Sequence, residues 1–142
     1  MRRIVSRPDP YIIPSVPLPI HVRSAGYNEA RPGWTESEPP EEKPFVQIFW
    51  CIQGTGEFKI GEKTFLLHPD EAIYRLPGEL HCHRAADPKV PWHYCWFTFD
   101  GPGARDFLLS YGYEQRPYHS GPCPSALFSE LENLVVRRTL YA

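Results

Sequence analysis

The chain has 142 residues, of which 42% are hydrophobic and 14% aromatic, and it carries a formal charge of −2. That suits one domain with its own core. No basic stripe runs along it, so this stretch alone is a poor grip for a phosphate backbone. No apolar run approaches a membrane span, and Met1-Arg2-Arg3 leads into prolines rather than a secretory apolar core. The cysteines Cys51, Cys82, Cys95 and Cys123 form no CxxC pair. A cytoplasmic protein with reduced thiols is the expectation.

In chain order, residues 1–19 interleave five prolines with Tyr11, Ile12, Ile13, Val16 and Leu18. Such a segment cannot be helical, and its apolar residues predict an extended arm lying on the rest of the domain. Residues 20–30 read as a strand, and 31–44 as a polar, proline-rich, acidic loop. The strand FVQIFWCIQ ends at Gly54-Thr55-Gly56, and EFKI and KTFLL flank Gly61-Glu62, which suits a type II′ hairpin. AIYRL, LHCHRA and WHYCWFTF follow, separated by Pro77-Gly78 and Asp87-Pro88. Short strands at regular spacing predict an all-β sandwich or barrel over 20–100.

After Phe99 the pattern turns helical, weakly over 103–111 and strongly over Ser125 to Tyr141. Ser125 is a candidate cap, and Arg137 and Arg138 lie late, as the helix dipole favours. Leu127, Leu131, Leu134 and Val135 recur at helical spacing on one stripe, facing a symmetry mate or the domain's own strands. Residues 101–142 are therefore assigned as a helical dimerisation segment, and the chain is expected to end inside a longer protein.

Strand alternation sorts the candidate site. Trp92, Tyr94, Trp96 and Thr98 share one face of their strand, opposite His93, Cys95, Phe97 and Phe99. Gln47, Phe49, Cys51 and Gln53 share a face of theirs, and His81 and His83 share a face of a third. The mixed polar and aromatic faces are candidates to line a cavity, and the apolar faces to pack between layers or against helices. A bulge would reverse the parity beyond it. No spacing forces a nucleophile next to a base, so no catalytic residue is assigned.

The motifs IFWCIQGTGEF, LHPDEAIYRLPGELHCH and PWHYCWFTFDG occur in one order. On them the chain resembles the cupin sensor domain of AraC-type transcription regulators, from about residue 20 to the C-terminal helix. The resemblance implies a mainly β fold, a cupin-like double-stranded β-barrel or jelly roll followed by C-terminal α-helices. Asp70-Glu71 stands where Gly-Asp is usual, so Asp70 is expected at positive φ. Metal-binding cupins carry HxH and a glutamate before the strand's closing glycine, where this chain has Glu41, Glu42, Lys43 and Gln47. With His81 alone surviving from the second motif, no metal and no cofactor are expected.

The resemblance further implies ligand contacts at Gln53, His83, Tyr94 and Trp96, with Gln47 and His81 beside them. Trp96 offers a ring face for a sugar's C–H face, and Tyr94 and His83 offer hydrogen bonds. Gln53 replaces an arginine used by sugar-responsive members, which weighs against a sugar acid or a tightly held monosaccharide. The expected function is small-molecule sensing, with a carbohydrate among the candidate effectors, and homodimerisation. DNA would be contacted only by a helix-turn-helix module beyond residue 142. A stand-alone metal-dependent cupin enzyme, such as a sugar isomerase or dioxygenase, is the alternative, and a structural dimerising β-domain with a filled interior is a third.

Overall fold

The structure is a computed structural model that describes residues 1–6 and 19–137. The described residues form ten strands in two antiparallel sheets. They are β1 (Arg2–Ser6), β2 (His21–Ala30), β3 (Thr35–Glu41), β4 (Val46–Gln53), β5 (Gly56–Ile60), β6 (Lys63–Leu67), β7 (Glu71–Arg75), β8 (His81–Ala85), β9 (Trp92–Asp100) and β10 (Tyr118–His119). Helix α1 (Ala104–Leu109) precedes β10, and α2 (Ser125–Val136) follows it. One sheet runs β1-β2-β9-β4-β7-β10 and the other β3-β8-β5-β6. This is the cupin-like double-stranded β-barrel with C-terminal helices that the sequence predicts.

Alternation builds the core. Phe49, Cys51, Phe58, Leu67, Ile73 and Trp92 fill the space between the sheets at one end of the barrel. The opposite faces of β4, β7 and β9 give a second cluster of Val46, Tyr74, Leu76 and Phe99, covered by Ala104 of α1. The β5–β6 hairpin turns on Gly61 at φ 59°. Asp70 is the one described non-glycine residue at positive φ, so Glu62 stays negative and the turn fits type II′. Asp70 itself sits at φ 66°, as its place in the turn requires.

Four elements differ from the sequence expectation. Arg2–Ser6, assigned to an arm, is an edge strand paired with β2 from Arg2↔Asn28 to Ser6↔Ser24. Tyr11, Ile12, Ile13, Val16 and Leu18 lie outside the described residues. The predicted loop over 31–44 contains β3, which pairs with β8 through Glu36↔His83 and Glu41↔His81 with an irregularity between. Pro39 and Pro40 fall in that irregular stretch of an edge strand, where a missing N–H is tolerated. In α2, Pro124 is the N-cap and Ser125 is the first helical residue, with no side-chain cap bond. The short β10, paired to β7, has no clear periodic signal.

The leucine stripe of α2 divides. Phe128, Glu132 and Val135 are buried, and the Phe128 ring meets Phe97 at 5.8 Å on the outer face of β9. Val135 therefore packs on the domain's own strands. Leu127 is 61% exposed, and Leu131 and Leu134 are half-buried one step round the helix.

Candidate ligand-binding site

Between the sheets, at the end away from the Phe58–Trp92 cluster, lies a cavity of about 160 Å³. Strand β9 supplies Tyr94, Trp96 and Thr98, and its neighbour β4 supplies Gln47. Arg75 enters from β7, directly opposite Gln47 in the β4–β7 ladder. His81 and His83 enter from β8 and Glu36 from β3. Arg2 and Ile4 of β1, Ser24 of β2, and Lys43 and Phe45 before β4 complete the wall. Trp96 keeps its place because Gly26 lies opposite it on β2. A Cβ there would come within 2.7 Å of the indole and also press on the Arg3 carbonyl.

Arg75 is 1% exposed, yet it pairs with a neutral group: its Nε donates to Gln47 Oε1 at 3.0 Å. Its guanidinium stacks 4.9 Å from the Phe45 ring centroid. Its buried Nη1 has no partner among the described residues, and no described carboxylate forms an ion pair with it. Burial lowers its pKa from 12.5 to about 10, so it stays cationic at neutral pH.

The histidines are neutral. His81 Nδ1–H donates to the Glu41 carbonyl at 2.9 Å, which leaves Nε2 as an acceptor. Burial, with Arg75 and His83 nearby, pulls the His81 pKa down to about 3. His83 is 2% exposed, and burial depresses it against the opposing pull of Glu36. Its Nε2 lies 3.5 Å from Glu36 Oε2 and 3.4 Å from Tyr94 Oη, both at the outer edge of hydrogen bonding, and its Nδ1 has no described partner. Glu36 is held below the usual carboxylate range, chiefly by that His83 contact. Tyr94 Oη accepts from Asn28 Nδ2 at 3.1 Å, and burial raises its pKa. Ser24 and Thr98 share a 2.6 Å hydrogen bond on the cavity wall.

Of the residues singled out in the sequence, Gln47, His81, His83, Tyr94 and Trp96 come together on the cavity wall. Gln53 does not. A bulge in the β4–β9 ladder between Cys51 and Gln53 breaks the alternation, and Gln53 is exposed. Sequence reasoning missed Arg75, Glu36, Lys43 and Arg2. For Arg75 a weak signal existed: it shares a strand face with Ile73, which is core. Glu36 and Lys43 were hidden in a stretch that reads as loop.

Among the described residues no group of three or more His, Cys, Asp and Glu is placed to hold a metal ion. The donor chemistry agrees, since Gln47 brings an amide where a carboxylate would be needed, and the buried Arg75 cation sits beside it. All four cysteines are free thiols. No described helix is long and apolar enough to cross a membrane.

The model of the AraC-like ligand binding domain matches residues 27–138. The chain belongs to this family. The match spans β3, β4, β7, β8 and β9 of the cavity wall in full, takes in only the end of β2 from Tyr27, leaves out β1, and reaches past α2. A search by sequence finds no match among curated proteins. Among solved structures, the fold is similar to YhaK from Escherichia coli at 16% identity and a TM-score of 0.59, covering 71% of this chain and 45% of that one. It is also similar to the putative glyoxylate-induced protein of Pseudomonas aeruginosa at 12% identity and a TM-score of 0.51, covering 68% and 33%. This chain thus spans under half the length of either. A cupin superfamily protein from Desulfitobacterium hafniense aligns at 12% identity with a TM-score of 0.49, over 70% of this chain and 76% of that one. At these identities the likeness speaks to the fold alone.

Proposed function

We propose that this family member is the effector-sensing and dimerisation domain of an AraC-type transcription regulator. The observation that carries the reading is the cavity of about 160 Å³, walled by polar groups with unused hydrogen-bonding capacity. A structural β-domain would fill such a space with apolar side chains, as this barrel does at its other end. An effector enters between Trp96 on one wall and His81 and His83 on the other. Trp96 gives an apolar ring face, and Gln47, His83 and Tyr94 fix orientation. The exposed edge of α2 at Leu127, with Leu131 and Leu134, meets a second copy. DNA contact belongs to a separate module. The metal-dependent enzyme reading gains no donor set among the described residues.

A thermal-shift screen against sugars and small metabolites tests the reading, because a ligand at ~100 times its Kd adds about 2.7 kcal/mol to folding stability. Trp96→Ala is expected to remove the shift, and the milder Trp96→Phe to retain part of it. A shift that survives Trp96→Ala in a folded protein places the ligand elsewhere. No stabilising compound in a broad panel would sink the effector reading itself.

A further inference from the structure

The effector reading leaves the ligand's chemistry open, and one side chain narrows it. Arg75 is 1% exposed and anchored only to the neutral Gln47 amide, with Nη1 unpartnered among the described residues. Glu36 and Glu79 attract it only from beyond ion-pair distance, and taking a charge out of water without a contacting counter-charge costs several kcal/mol. The other cations of the wall differ from Arg75. Lys43 pairs with Glu41, and Arg2 lies 3.8 Å from Glu36. Gln47 and the Phe45 ring hold the guanidinium, and Arg75 borders the cavity. We infer that the cavity takes a small carboxylic acid, whose carboxylate pairs with Arg75. This inference rests on the effector reading and specifies its ligand class.

The remaining wall agrees. Arg2, Lys43 and Arg75 against Glu36, with both histidines neutral, leave the lining net positive. Glu36 comes from the facing sheet and repels an anion, so the carboxylate end points to β7 and the rest of the ligand to β3. There Glu36 and His81 Nε2 accept hydrogen bonds from hydroxyl groups, and Trp96 covers an apolar face. The planar guanidinium matches a two-oxygen carboxylate, and phosphate serves as the probe for an anion of another shape. A cavity of about 150 Å³ accommodates benzene, so the ligand has about six to ten non-hydrogen atoms. The charge missing at Gln53 is thus supplied at Arg75, and the argument against a sugar acid lapses.

The test measures melting temperature and calorimetric affinity with matched probes: erythronate against erythritol, benzoate against benzyl alcohol, and inorganic phosphate alone. At least one acid is expected to stabilise the wild-type protein at concentrations up to about 10 mM, with no shift from its neutral partner or from phosphate. Arg75→Met, of similar volume, is expected to fold and to bind that acid about 30-fold or more weakly, as losing one partner of a buried charge pair does. Equal shifts from acid and neutral partner, abolished by Trp96→Ala, would overturn the carboxylate and leave the effector site standing. Shifts from neutral sugars alone would do the same. Undiminished acid binding in Arg75→Met, a response to phosphate alone, or no response to any acid would each overturn the inference. The acid-against-neutral comparison needs no variant, so it decides even if Arg75→Met does not fold.

Discussion

Two buried neutral histidines make acid a specific stress on this barrel. The folded-state pKa of His81 lies near 3, below the 6.5 of an exposed imidazole, and His83 is shifted the same way. As pH falls, the unfolded chain therefore takes up protons first. The stability His81 allows is whole above pH 6.5 and declines as pH drops toward the folded value, by up to about 1.4 kcal/mol per pH unit, and His83 adds to the loss in the same direction. Urea unfolding between pH 7.5 and 5 should show this slope, and His81→Gln should flatten it. Arg75 and Lys43 face His81 and oppose its protonation, against the pull of the Glu41 carbonyl, so they deepen the loss at low pH. Asp70, at φ 66°, marks a second stressed residue. Asp70→Gly should be tolerated, whereas Asp70→Val should cost about 1–2 kcal/mol in urea unfolding, because a β-branched side chain resists that backbone. Both sites were legible as residues, through the LHCH strand and the departure from Gly-Asp. Arg75 carried only the weak signal of a face shared with Ile73, and one arginine in a strand reads as a solvated side chain until its ladder partner Gln47 is known to face inward.

At the scale of elements, parity carried the site as far as the ladders stay regular. The inward face of β9 follows alternation through Thr98, and so did the prediction. The bulge at Cys51/Gln53 ended it and turned Gln53 to solvent. β3 stayed hidden because Pro39-Pro40 are strong loop signals, and only pairing with β8 makes the segment a strand. The same limit applied to α2, where a stripe of four apolar residues reads as one face. The helix uses two: Phe128, Glu132 and Val135 inward, Leu127 outward. Phe128→Ala should therefore cost about 3–5 kcal/mol in urea unfolding, the usual loss for a buried phenylalanine. Leu127→Ala should change monomer stability by less than about 0.5 kcal/mol. If α2 meets a second copy, Leu127→Ala will instead weaken self-association in analytical ultracentrifugation. An unchanged dissociation constant would remove Leu127 from the interface.

For the molecule as a whole, β1 stands between the cavity and α2. Alternation sends Arg2 and Ile4 into the cavity wall and Arg3 to the outer surface. There Arg3 Nε meets Glu132 Oε2 of α2 at 2.7 Å, with the glutamate side chain only 10% exposed. A ligand that touches Arg2 or Ile4 thus acts on the strand that the helix grips. Ligand can shift dimerisation only through different affinities for two arrangements, and the shift must be reciprocal. An edge strand held by one ladder is the described element best suited to move, since it gives up only one set of backbone bonds. Arg3→Ala cuts the link without touching the cavity. The variant should bind the effector with nearly wild-type affinity as a monomer, while the ligand-dependent change in dimer dissociation constant should shrink several-fold. Sedimentation with and without ligand measures both quantities. Coupling that persists at full strength in Arg3→Ala would route the signal through β2 and β9, which α2 also contacts, and leave β1 as a passive wall.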